Sequence, residues 1–240
     1  MLEKIIGVLG GMGPEATLDC FDKLIKNTPA EKDQDHLRVL IDCNPKVPDR
    51  TAAICGKGES PVPVMLNSAR GLVLAGADFI IIPCVSAHVF LDDLQQQIDV
   101  PFISIFDAVS EAIQIVDPPI KVVGLLATTG TVHGKLFQKR LEQSNIATIV
   151  PDREDQERVM TCIYEIKATQ TAASREKVRT ELLEVANSLV GTGAQGIIAG
   201  CTEVPLVLSP EDLQIPFFDP LLILARAAIH KAGRQPLILP

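Results

Sequence analysis

Two cysteines end matching stretches of this chain. GADFIIIPCVSAH begins at Gly76 and carries Cys84, and GAQGIIAGCTEVP begins at Gly193 and carries Cys201. Each thiol stands eight positions after its glycine, at the end of an apolar run. A thiol brought near a neutral pKa serves as general acid or general base. Two of them on opposite faces of one carbon take a proton from one side and return one on the other, which inverts a stereocentre. A cysteine nucleophile would need a histidine partner instead. His88, one helical turn after Cys84, fits that role and, equally, the role of a packed helix histidine. A helix start after each cysteine would favour the thiolate and draw its pKa down.

The elements that must position these thiols alternate. KIIGVLG and LRVLID read as strands, followed by a long polar loop, CNPKVPDRTAAICGKGE. A helix near Val64–Leu74, the strand DFIIIP, a helix after Cys84 and the short strand VPFIS complete the first half. The second half repeats this with IKVVGLLA, a helix from about Val132, IATIV, and helices through Asp152–Ala168 and Glu176–Leu189. It closes with QGIIAG, IPFFD and a last helix over Leu221–His230. One ruler fits both halves. Gly7 to Gly76 and Gly124 to Gly193 are each 69 positions, and Gly7 to Cys84 and Gly124 to Cys201 are each 77. The spacing predicts a duplicated α/β unit, giving two similar α/β domains with parallel sheets. The domains are expected at residues 1–103 plus 216–240, carrying Cys84, and at 104–215, carrying Cys201. Ligands of open parallel sheets sit beyond the carboxyl ends of strands, so the active site is expected in the cleft between the two domains.

Composition narrows the function. With 240 residues, 47% hydrophobic and 22% charged, the chain is long enough for a sizeable core and has a globular balance. A net charge of −8 argues against nucleic acid as a partner. No apolar run approaches a membrane span, and the start does not read as a secretory signal, so the expected address is cytoplasmic. The six cysteines form no CxxC pair and the four histidines are isolated, so no metal site is expected. GVLGGMGPEA is a glycine-rich turn onto which a dinucleotide fingerprint can be forced. The nearest suitable acid, Asp42, lies about 30 positions on rather than about 20, which disfavours a nucleotide-binding oxidoreductase. The glycines are expected instead to let the backbone approach a substrate.

GVLGGMGPEAT, NPKVPDRT, PCVSAH, GLLATTGT, IYEIKA and GCTE are spread along the chain from Gly7 to Glu203 and carry a resemblance that covers nearly all of it. The chain resembles the aspartate/glutamate racemase superfamily, closest to the aspartate racemase branch, whose members invert amino-acid α-carbons without pyridoxal phosphate. The resemblance implies no cofactor, an acidic amino acid as substrate (aspartate before glutamate) and a homodimer. It implies Cys84 and Cys201 as the acid/base thiols, with Cys84 acting on the D-enantiomer and Cys201 on the L-enantiomer. Arg50 and Lys167 match positions that bind the side-chain carboxylate, chemistry that suits a guanidinium fork and an ammonium. Without the resemblance, both would read as solvated surface. Ser86, Thr129, Thr202, Met12 and Glu203 complete the implied substrate-binding set. Glu203 either accepts from the amino group or orients a neighbour. Related chemistries, isomerisation of a dicarboxylate or decarboxylation of a malonate, stay open; the decarboxylases manage with one cysteine, so two point to inversion or isomerisation. One departure stands out. The family motif usually reads Pro-Cys-Asn-Thr-Ala-His, and here Val85 replaces the amide.

Overall fold

A computed structural model describes residues 3–168 and 172–237. The chain divides into two units, Met1–Ala108 with Leu221–Pro240, and Val109–Pro220.

In the first unit, β1 (Ile6–Gly10) is buried at every position and leads into α1 (Pro14–Asn27), whose Pro14 costs nothing in a first turn that lacks N–H partners anyway. Next come β2 (Val39–Cys43), the short α2 (Arg50–Ile54), α3 (Val62–Leu74), β3 (Phe79–Ile81) and α4 (Leu91–Gln95). The sheet order is β2-β1-β3, with all pairs parallel. VPFIS does not form a strand of its own: Phe102 makes an isolated parallel bridge with Ile80. The boundary with the second unit falls inside α5 (Ile105–Gln114).

The second unit contains β4 (Val122–Ala127), α6 (Thr129–Gly134), α7 (Leu136–Glu142), β5 (Ala147–Ile149), α8 (Arg153–Ala168), α9 (Ala172–Gly191), β6 (Ile197–Gly200) and β7 (Phe217–Phe218). Its sheet order is β5-β4-β6-β7, again wholly parallel. The single helix expected from Val132 is two, because Lys135 adopts a left-handed conformation (φ 53°) that ends α6. Finally α10 (Pro220–Lys231) belongs, from Leu221 on, to the first unit.

The duplication is visible in the backbone pairing. Gly7 sits opposite Ile80 and Gly124 opposite Ile197, a separation of 73 in both units. Ile80 N–H donates to Pro101 O, and Ile197 N–H donates to Pro216 O, each at 2.9 Å. Strand β2 in the first unit thus corresponds to β5 in the second, β1 to β4 and β3 to β6. Near-continuous apolar strands such as FII and IIAG are buried at every residue, as parallel sheets covered on both faces require.

Gly11 marks the close approach in the first turn. Its φ is +90°, and a Cβ there would lie 2.3–2.4 Å from backbone atoms of Asn44. The glycine is therefore required by the packing of the turn against its own chain, rather than by room for a ligand as the sequence suggested. Gly71, inside α3, meets nothing within 4 Å. The two sites predict opposite signs. Gly11→Ala should destabilise by at least the ~1–3 kcal/mol of a residue held in a disfavoured conformation. Gly71→Ala should stabilise by roughly 0.5–1 kcal/mol, the ordinary helix gain. Urea unfolding of both variants checks the pair.

Candidate active site

The sequence-selected residues fall into two groups, one in each unit. In the first, β3 delivers Cys84 to its carboxyl end, where Cys84 N–H bonds Ile82 O at 2.8 Å and the thiol is buried. A 3₁₀ turn over Ser86–Phe90 follows, not an α-helix, with α4 coming only after it. Within the turn, Ser86 Oγ lies 3.6 Å from Cys84 Sγ. His88 does not engage the thiol. Burial holds its pKa down to about 4, against the opposing backbone hydrogen bonds at Cys84 and Ile103, so the ring is neutral near pH 7. Its Nδ1–H donates to Cys84 O at 2.9 Å, and its ring meets Phe106 edge-on at 5.6 Å. His88 thus fixes the main chain of the cysteine, the packing role rather than the nucleophile-partner role.

Arg50 enters the same unit from the loop. Asp49 caps α2 by accepting from Ala52 N–H at 2.7 Å, which sets the chain direction at Arg50. The sequence alone placed this arginine in solvent, yet it is only 8% exposed. Nη1 donates to Val47 O and Pro48 O, Nη2 donates to Met12 O at 3.3 Å, and Nε has no partner. A guanidinium is permanently charged, and none of these partners is a carboxylate. Buried charge with an unmet donor is the chemistry of an anion receptor. Met12 itself is buried in the apolar cluster that contains Val47 and Cys84, so its carbonyl and not a polar side-chain group is what it offers Arg50.

In the second unit, Ala127 pairs with Gly200, so Thr129 and Cys201 leave neighbouring strand ends. Thr128 caps α6 by accepting from Thr131 N–H, and Thr129 N–H points to Met160 Sδ at 3.0 Å. Cys201, Thr202 and Glu203 are all buried. The Cys201 thiol donates to Glu203 Oε2 at 2.9 Å, Thr202 Oγ1 donates to the same oxygen at 3.2 Å, and Lys167 Nζ stands 3.4 Å from Oε1. Burial first, then the Glu203 charge, pushes the Cys201 thiol well above its ordinary value; Lys167 pulls it back only in part. The expected lowering by a helix start fails here. Pro205 stands in the segment after Cys201, which forms only a turn and the three-residue 3₁₀ stretch Val204–Leu206.

The two sites share one design with different chemistry. In each, the polar neighbour of the thiol is the side chain two residues on, a serine hydroxyl beside Cys84 and a carboxylate beside Cys201. The intervening position is Val85 in one and Thr202 in the other. Sequence reasoning passed over the caps Asp49 and Thr128, although an Asp or Thr three residues before a helical N–H is a readable signal. Among the described residues, no group of three or more His, Cys, Asp or Glu side chains is arranged to hold a metal ion. No described helix is long and apolar enough to cross a membrane.

Comparison with known proteins agrees with this fold. A family described as Asp/Glu/Hydantoin racemase matches residues 9–228. The broad specificity amino-acid racemase RacX of Bacillus subtilis (strain 168) is 29% identical over 231 residues, spanning 94% of this chain and 96% of that protein. The solved Picrophilus torridus aspartate racemase superposes with a TM-score of 0.87 at 32% identity, covering 98% of this chain and 96% of its own. An aspartate racemase homologue from Pyrococcus horikoshii OT3 gives a TM-score of 0.77 at 28% identity, over 97% and 100% of the two chains. A match over nearly the full length, on a fold of two parallel-sheet units each ending a strand in a buried cysteine, makes this chain a member of the Asp/Glu/Hydantoin racemase family.

Proposed function

We propose that this protein racemises acidic amino acids, aspartate first, with Cys84 and Cys201 as the two acid/base groups acting on one α-carbon. One observation carries the reading: duplicated strands of identical register end in a buried cysteine at the same place in both units. A single-base or nucleophilic mechanism gives no reason to keep the second thiol. Inversion requires one thiolate and one thiol at a time. Cys201, pushed up by burial and by Glu203, is protonated at rest and gives up its proton to Glu203 when it serves as base. With Cys84 working on the D-enantiomer and Cys201 on the L-enantiomer, each direction of the reaction leaves the pair ready for the reverse. Arg50 and Lys167 receive the side-chain carboxylate, Arg50 through its unmet buried donor. The hydroxyls of Ser86, Thr129 and Thr202 are assigned to the α-carboxylate, Met12 to the wall of the site and Glu203 to the Cys201 proton. The thiols themselves carry out the proton transfers, so no cofactor or metal is assigned a role. We place the enzyme in the cytoplasm, where thiols stay reduced, and as a homodimer.

Val85 supports a second reading of substrate breadth. It is 2% exposed beside Cys84 and carries no hydrogen-bonding atom where an amide is usual. An apolar wall next to the reacting carbon tolerates neutral side chains, and the Bacillus subtilis relative is named for broad specificity.

Chiral separation after incubation with each enantiomer of aspartate, glutamate and alanine tests the assignment. The wild-type protein should convert either enantiomer of aspartate to the racemate, and failure on every amino acid would refute the function. Cys84→Ser and Cys201→Ser should each lower racemisation by about 10²–10⁴-fold, the usual worth of a general acid or base. Near-normal inversion in either variant would sink the two-thiol mechanism. Val85→Asn should raise aspartate turnover roughly 10-fold or more if it restores one hydrogen bond to a charged group. A fall in that turnover, with a matching loss on neutral substrates, would instead establish the apolar wall as a specialised pocket.

A further inference from the structure

Glu203 sits between the thiol that must lose a proton and the ammonium assigned to the substrate. Its two oxygens have different company: Oε2 takes the hydrogen bonds of Cys201 and Thr202, and Oε1 faces Lys167 Nζ at 3.4 Å. The two partners differ in exposure as well. The Glu203 side chain is 4% accessible and the Lys167 side chain 29%, so the lysine is the partner open to exchange. A lysine ammonium is a compact charge on a flexible stem, free to exchange one carboxylate partner for another.

Building on the racemase reading above, we propose that the substrate's side-chain carboxylate competes with Glu203 for Lys167, so that an acidic substrate switches on the base that activates Cys201. While the ammonium faces Oε1, its attraction holds the negative charge on the carboxylate and away from the sulfur. When the substrate carboxylate takes the ammonium, that attraction is gone and Oε2 takes the Cys201 proton. The proton step is then internal. The Cys201 S–H bond breaks, an O–H bond forms on Oε2, and the negative charge passes from carboxylate to sulfur. The thiolate is next to the α-carbon at the moment an acidic substrate is bound. A neutral amino acid has no group that takes Lys167, so Glu203 stays paired and Cys201 stays a thiol. Selection for acidic substrates therefore acts on turnover as well as on binding, which a simple electrostatic clamp does not do.

Lys167→Met separates the two roles. Its kcat/KM for aspartate should fall on the order of 10²–10³-fold, as expected for losing one partner of a charge pair. Its kcat for alanine should rise about tenfold, because Glu203 is then released to take the Cys201 proton without waiting for an acidic substrate. Lys167→Arg keeps a cation on Glu203 and should not show the alanine gain of the neutral variants. Lys167→Gln gives the same reading as methionine should the apolar replacement disturb folding, which thermal melting reports. An alanine kcat unchanged or reduced in both neutral variants overturns the switch but leaves the racemase reading intact, because wild-type aspartate turnover stands apart from it. Wild-type protein that racemises no amino acid overturns both.

Discussion

Parallel pairing at a fixed register is the constraint on which the rest of this molecule depends. Once Gly7 is opposite Ile80 and Gly124 opposite Ile197, equivalent residues of β3 and β6 fall at the same level of their sheets. The cysteine four residues beyond Ile80 and Ile197 is then carried out of each sheet at the same place and buried there. A shift of one residue would turn every side chain of a strand to the opposite face. Register therefore fixes which atom stands at the strand end, and equal register makes the two units chemically comparable.

On that common scaffold the two thiols have been given unequal company. Cys84 has a neutral hydroxyl two residues on and a neutral histidine holding its main chain. Cys201 has a buried carboxylate two residues on, which in turn meets a cation. Racemisation is symmetric in outcome, but the enantiomers present different faces to the same groups, so unequal partners are chemically reasonable. In the first unit the positive charge is arginine, buried and held by backbone carbonyls; in the second it is lysine, more accessible and paired with a carboxylate. The one is held rigidly by its own loop, and the other can exchange its partner.

The duplication was legible because strand pairing imposes equal spacings, and equal spacings survive in the sequence as the repeated offsets of 69 and 77. Parallel sheets followed from uninterrupted apolar runs between helical stretches. Burial of Arg50 was not legible. It depends on carbonyls of Met12, 38 residues earlier, and of Val47 and Pro48, whose directions are set only when the loop folds onto β1. The environment of Cys201 was misread for a local reason: one proline four residues on left a turn where a helix was expected, and the carboxylate dominates what remains. Likewise VPFIS has the composition of a strand but only Phe102 pairs, and a left-handed Lys135 divides a helix that periodicity alone joins. Element type came from pattern; polar partners came from tertiary structure.

The proposed inversion requires two bases rather than one. The direct measurement is the fate of the α-hydrogen when each aspartate enantiomer is converted in deuterated water and both enantiomers are recovered early in the reaction. Two thiols acting from opposite faces place solvent deuterium in the product, while the remaining substrate keeps its original proton, and this holds from either starting enantiomer. Equal deuterium in product and recovered substrate would mean that one group both removes and returns the proton, and would contradict the roles assigned to Cys84 and Cys201.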